Sequence, residues 1–259
     1  MYEAIVREST LSEAYHRALV TLELSGEKAE CQDWNTIQKE VSMTMVVWNP
    51  TDEPRISRLF IGGPKELEQY CQEMLDGILD FEIERGNWDY TYHDRMTNYP
   101  VKMGRTNQIA FVIKELKRNP SSRRAVILIR DPSIDMDSND PACLQHIQYF
   151  IRNGKLHCKV IFRSNDACKA AFMNAFALIR LQERIADILG VPVGTYTHRA
   201  NSFHCYEKDF DLLKGYVNRI FSAKSKDDLS YDFKDDWEYE MEDCRDEIAK
   251  QVETLKNQK

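Results

Sequence analysis

"LQHIQYFIRNGKLHCKVIFRS", Leu144 to Ser164, is the stretch whose reading decides the fold. Two apolar-rich segments flank Asn153-Gly154, and that dipeptide forms the two-residue type I′ turn of a β-hairpin, because both positions must take positive φ. On the second strand Leu156, Cys158, Val160 and Phe162 alternate with His157 and Lys159. A period of two sets one face against a core and the other outward. His157 is therefore a polar residue on the outer face and is assigned no role. After the hairpin, "FMNAFALIRLQERIADILG" has the apolar spacing of an amphipathic helix, closed by Gly190 and blocked from continuing by Pro192.

Outward from this centre the remaining elements follow from local signals. "TLSE" (Thr10 to Glu13) is a capping box that opens a helix to about Val20. "EVSMTMVVWNP" has strand composition and ends at Asn49-Pro50. "GGPKELEQYCQEMLDGIL" places glycines and an early proline ahead of apolar residues at helical spacing. Another helix covers about Gln108 to Lys117 and stops at Asn119-Pro120, and "RRAVILIRDP" reads as a short buried strand. From Asp232 the chain is acidic and ends in the helix-like "DEIAKQVETLKNQK". These elements predict one mixed α/β (α+β) domain over residues 1–259, with long helices packed on a mixed sheet. The segment from about 224 is expected to be peripheral.

Composition narrows the function classes. With 42% hydrophobic and 30% charged residues, the chain has the balance of a soluble globular protein. "MYEAIVREST" holds no signal-peptide core, and no run is long enough to span a bilayer. Seven scattered cysteines, without a CxxC pair, argue against a disulfide framework or a zinc site and for a reducing cytoplasm. A net charge of −7, from 35 basic and 42 acidic residues, speaks against coating nucleic acid. A substrate with one phosphate remains compatible, since a few placed arginines suffice.

The residues that could carry chemistry each have two readings. Arg123, Arg124 and Arg163, with Ser164, suit a phosphomonoester, or are solvated strand-end cations paired with local carboxylates. Cys143, in "DPACLQH", is a small buried residue or a nucleophile whose thiolate is supported by neighbouring arginines. His204 and Tyr206, two apart on a strand, share a face and could reach a sugar hydroxyl or simply satisfy one another. Asn174 interrupts an apolar helix start, so its amide meets a pyrimidine edge or a backbone group. Glu73 stands on an otherwise apolar helix face, or is an exposed glutamate.

Taken together, "NPSSRRAVI", "DPACLQHIQYFIRNGKLHCKVIFRSND", Asn174 and "HCY" resemble the thymidylate synthase family, which includes pyrimidine nucleotide hydroxymethylases, over about Tyr90 to Phe210. The resemblance implies the thymidylate synthase fold and a homodimer joined through its sheet. It also implies a pyrimidine nucleoside monophosphate substrate and 5,10-methylenetetrahydrofolate as co-substrate, with no metal. Cys143 then adds to C6 of the base. Arg163 and Ser164 hold phosphate, helped by Arg123 and Arg124 from the second subunit. Asn174 reads the pyrimidine edge, Asp166 helps to hold the base and the cofactor ring, and His204 with Tyr206 binds the deoxyribose 3′-hydroxyl. Glu73 matches the proton-relaying glutamate, with Glu66 and Glu68 as alternatives, and Tyr92 matches the tyrosine that orders the water taking the C5 proton.

The chain also departs from the family pattern. Leu144 stands where many members have histidine, Phe162 where glutamine is common, Ala170 where glycine is usual, and Met173 where phenylalanine is common. The family's N-terminal arginine loop and its closing C-terminal tail are not recognisable. The expected reaction is thymidylate synthesis from dUMP, because the Asn174 amide complements uracil, whereas the related deoxycytidylate hydroxymethylases carry aspartate there. The alternatives are 5-hydroxymethylation of dUMP, dCMP or CMP, and a non-catalytic nucleotide-binding dimer that has lost its folate site.

Overall fold

In the computed structural model, which describes residues 1–258, the chain begins with β1 (Glu3–Glu8), α1 (Leu11–Ser25), β2 (Glu27–Cys31), β3 (Thr36–Val47) and β4 (Ile56–Ser57). It continues through α2 (Pro64–Asp76), α3 (Phe81–Glu84), α4 (Tyr92–Thr97), β5 (Tyr99–Val101), β6 (Gly104–Thr106) and α5 (Gln108–Arg118). Next come β7 (Val126–Leu128), α6 (Pro132–Asp135), β8 (Leu144–Arg152), β9 (Lys155–Asp166), α7 (Ala171–Leu189) and β10 (Val193–Tyr206). The last elements are α8 (Phe210–Ser222), β11 (Ser230–Tyr231), α9 (Glu238–Asp243) and α10 (Arg245–Asn257).

The hairpin forms as its turn chemistry requires. Asn153 has φ 51° and Gly154 φ 69°, the left-handed pair of a type I′ turn, and β8 and β9 pair antiparallel from it. Leu156, Cys158, Val160 and Phe162 are all buried, whereas Ile161 on the opposite face is 37% exposed. The sheet order is β1-β3-β10-β9-β8-β7, with β2 beside β3. β1–β3 and β10–β9 run parallel, and the other neighbours run antiparallel, so the sheet is mixed as expected.

One face of this sheet is covered by α1 and α7. α1 starts with the expected capping box, Thr10 N–H donating to Glu13 Oε2 at 3.2 Å, and extends beyond Val20 because Leu22 still belongs to its buried face. α7 is buried on most sides, from Phe172 to Ile185, and ends at Gly190 with φ 68°. On the opposite sheet face Ile5, Leu128 and Ile161 are exposed. No helix among the described residues is long and apolar enough to cross a membrane.

The C-terminal segment corrects one expectation. It is not peripheral from 224: Ser230–Tyr231 pairs with Ile56–Ser57, and Phe233, Trp237 and Met241 join the main apolar cluster. Only α10 lies apart, with Ile248 and Val252 on Leu79 in a small cluster of their own. The apolar residues are few and sit among many acids, so composition hides them.

α2 ends at Gly77, φ 65°, where an added Cβ would overlap His93 Nδ1 and Asp80 Oδ2. Nothing lies within 4 Å of a Cβ at Gly154. Gly154→Ala should therefore cost only the left-handed backbone penalty, about 1 kcal/mol, while Gly77→Ala should cost about 3 kcal/mol because steric overlap is added. Denaturant titrations that gave equal losses would contradict this separation.

Candidate active site

Cys143 is the residue immediately before β8, and its position is set by one arginine. The backbone N–H of Arg163, on the neighbouring strand β9, donates to the Cys143 carbonyl at 2.8 Å. The guanidinium of the same residue donates through Nε to Ala142 O at 3.1 Å and through Nη2 to Pro141 O at 2.6 Å. Three successive carbonyls are thus held by a single side chain and its amide. The half-buried Cys143 thiol is pushed up by burial; the Arg163 charge opposes this and Asp140 reinforces it. Burial wins, so the thiol of the free protein is protonated at neutral pH.

The same end of the sheet gathers the predicted sugar and phosphate ligands. β9 and β10 pair in parallel with Ser164 opposite Ser202 and Asp166 opposite His204. Ser164 Oγ lies 3.3 Å from His204 Nδ1, and the His204 and Tyr206 rings meet edge-on at 4.7 Å. His204 is buried and kept neutral by that burial, and its Nε2 has no hydrogen-bond partner among the described residues. A buried ring nitrogen without a partner is costly, and a ligand hydroxyl would satisfy it. Asp166 is partly engaged: Oδ1 accepts from the Cys168 and Lys169 amides at 2.9 and 3.0 Å, shaping the turn into α7.

Beside the cysteine loop, α2 and the chain leading into α4 bound a cavity that Asp140 also lines, whereas Cys143, Arg163 and His204 are not among its lining residues. Tyr70, Glu73, Met74, Leu79, Trp88, Tyr90 and Tyr92 are among the residues lining this cavity of ≈ 490 Å³. Burial raises the Glu73 carboxyl above its ordinary range, opposed by a hydrogen bond from Gln69 at 2.9 Å. The alternatives are engaged elsewhere. Glu66 caps α2 through the Gly63 amide, and the buried Glu68 accepts from Arg245 Nε at 2.6 Å. Tyr92 Oη accepts from the Leu144 amide at 3.3 Å, which places the phenol beside the cysteine loop.

Asn174, in the first turn of α7, is buried, and its Oδ1 accepts from the Tyr70 hydroxyl. Arg123 and Arg124 are exposed, just ahead of the edge strand β7. His157 has a structural role: its Nδ1 accepts from the Thr195 amide at 3.0 Å. Two side chains absent from the sequence reading shape the site. Tyr70 lies one helical turn before Glu73, a spacing that could have revealed it. Arg95 is buried, donates to Asp135 Oδ1 at 2.9 Å and to Ile129 O at 3.1 Å, and stands 5.3 Å from the Tyr90 ring centre. Two of the departures are buried, Leu144 and Phe162 both at 0% exposure with Phe162 stacked on His198, whereas Ala170 and Met173 are half-buried.

Alkylation of Cys143 should accelerate with pH through a midpoint above the ordinary thiol range, since burial favours the neutral form. Arg163→Ala should move that midpoint higher still and lower stability by about 2 kcal/mol through its lost charged hydrogen bonds. Iodoacetamide rates followed by mass spectrometry, with parallel melts, check both; an unmoved midpoint would show that the guanidinium does not support the thiolate.

Comparison with known proteins bears directly on this arrangement. A family model described as thymidylate synthase matches residues 28–257. A protein of Methanocaldococcus jannaschii named "Putative thymidylate synthase" is 36% identical over 217 residues, covering 82% of this chain and 95% of the relative. A Methanosarcina barkeri protein of the same name is 31% identical over 218 residues, covering 83% and 95%. The fold is similar to that of thermostable thymidylate synthase A from Bacillus subtilis, with a TM-score of 0.66 at 19% identity over 82% of this chain and 85% of the other. A family model spanning nearly the whole chain and a shared fold lead to one conclusion: the chain belongs to the thymidylate synthase family and is a one-carbon transferase.

Proposed function

We propose that this protein converts dUMP to dTMP through a covalent adduct between Cys143 and C6 of the base. The observation that carries this reading is the cysteine loop clamped by Arg163 beside the cavity walled by Glu73 and Tyr92. Enzyme-class membership sets aside the non-catalytic dimer. A cavity faced by Trp88, Tyr90, Leu79 and Met74, with Asn87 and Asn139 at its polar side, suits a flat bicyclic ring. 5,10-Methylenetetrahydrofolate, when bound there, supplies the methylene carbon and then the hydride that completes the methyl group.

The protein's own groups do the rest. Cys143 loses its proton to solvent water and its sulfur bonds to C6, while the C5–C6 π pair moves toward the C4 oxygen and makes C5 nucleophilic. Phosphate bound by Arg163, Ser164 and the partner's arginines holds the base against the sulfur. His204 and Tyr206 take the 3′-hydroxyl, and Asn174 and Asp166 take the base. Glu73, whose neutral form burial favours, moves the C5 proton through water together with Tyr92. The C6–S bond breaks last and returns the thiolate. Exposed Arg123 and Arg124, together with the open apolar residues of the sheet face, support a homodimer in which each chain completes the other's phosphate site. Seven free cysteines fit a reducing cytoplasm.

Incubation of dUMP, dCMP and CMP separately with methylenetetrahydrofolate should yield dihydrofolate and a methylated product from dUMP alone. A hydroxymethylated product without folate oxidation would assign the hydroxymethylase reaction instead, and no release of C5 hydrogen from any of the three would sink the reading. Cys143→Ser should abolish that release, and Glu73→Gln should lower turnover by about 10²–10⁴ while dUMP still binds. Mixing inactive Cys143→Ser and Arg124→Ala chains should restore roughly a quarter of wild-type activity if sites are shared between subunits. No recovery after verified subunit exchange would rule out sharing.

A further inference from the structure

The polar surroundings of Asn174 are unusual in having a single side-chain source. Its Oδ1 accepts from the Tyr70 hydroxyl, and its amide nitrogen makes no hydrogen bond among the described residues. Leu144 and Phe162, which follow Cys143 and precede Arg163 in sequence, are apolar and fully buried, so neither can orient the amide. Tyr70 reaches Asn174 from a different helix, and it lines the same cavity as Glu73.

We propose that Tyr70 sets which pyrimidine the site accepts, by fixing the orientation of the Asn174 amide. The inference rests on Asn174 being the residue that meets the base. An amide presents an acceptor and a donor side by side, and a flip exchanges them. With Oδ1 engaged by Tyr70, the NH₂ group is the half without a partner. A donor there complements the C4 oxygen of uracil and opposes the 4-amino group of cytosine. Reading cytosine requires the flipped amide, whose NH₂ would then face Tyr70. The phenol would have to accept, which it does poorly, and its own proton would lose its acceptor. Burial, reinforced by the nearby Glu73, holds the Tyr70 hydroxyl far above its ordinary titration range, so it remains a donor at any working pH. Tyr70 is a positioning residue: it acts on the base only through Asn174.

The test measures dissociation constants of dUMP and dCMP by calorimetry for the wild type, Tyr70→Phe, Asn174→Ala and the double variant, with melts confirming folding. The wild type should prefer dUMP. Tyr70→Phe should reduce that preference about tenfold, the effect of one buried hydrogen bond left unmade. In the Asn174→Ala background the same substitution should leave the ratio unchanged. A merely structural role would weaken both nucleotides alike, so an unmoved ratio overturns the proposal. A wild-type preference for dCMP, or an equal shift in both backgrounds, overturns it as well. Should Tyr70→Phe fail to fold, Tyr70→Met serves the same comparison. Wild-type turnover of dUMP with an unmoved ratio sinks only the Tyr70 inference, whereas wild-type protein that releases no C5 hydrogen sinks the proposed function itself.

Discussion

The clamp of Arg163 on the carbonyls of Pro141, Ala142 and Cys143 is the constraint on which the site depends. It exists because β9 pairs with β8 in the register set by the Asn153-Gly154 turn, shifted by one residue between His146 and Leu144, which brings Arg163 opposite Cys143. A slip of one residue would send Arg163 into the core and Phe162 toward the cysteine loop, since strand side chains alternate. The buried row of Leu156, Cys158, Val160 and Phe162 opposes that slip, because every member would be exposed together. Hydrophobic alternation fixes register, register aims a guanidinium, and the guanidinium fixes the sulfur.

Burial then decides the charge state of the unliganded site. It raises Cys143, Glu73, Tyr70 and Tyr92 and lowers His204, in every case favouring the neutral form. Arg163 is the cation that lowers the thiol. On the proposed reading a phosphate dianion would claim that guanidinium and weaken its support for the thiolate. More positive charge must then arrive with the nucleotide. On the same reading, the exposed Arg123 and Arg124 ahead of the edge strand are the cations that a second subunit would bring.

The hairpin, the caps at Thr10 and Gly190 and the α2 start were legible because each depends on residues within a few positions of one another. The site was legible only through resemblance, since its parts come from elements far apart in sequence. Tyr70 and Asn174 are 104 residues apart, and no local period announces their contact. Glu66 and Glu73 share a helix face seven positions apart, so spacing could not separate them. Glu68 was removed only by the approach of Arg245. Phe233, Trp237 and Met241 were overlooked because their acidic neighbours lower the mean hydropathy of the segment that carries these three buried residues.

That segment gives α2 its second support. Tyr70 and Glu73 reach the cavity, while elsewhere on the helix Glu68 and Lys65 engage Arg245 and Glu247, the latter pair at 2.5 Å. The two ion pairs differ in weight. Glu68 is almost fully buried, so loss of Arg245 would leave a carboxylate without its charge partner in poor solvent contact, whereas Glu247 is 60% exposed and its pair is worth little. Below α2, Leu79 meets Ile248 and Val252, and Arg85 holds the carbonyls of Leu255 and Lys256. Helix α10 therefore braces α2, which also packs on α7. Glu73 and Tyr70 are carried by a helix held by both α7 and α10, and the proton-moving role proposed for Glu73 needs such rigidity more than a further contact to the carboxylate itself.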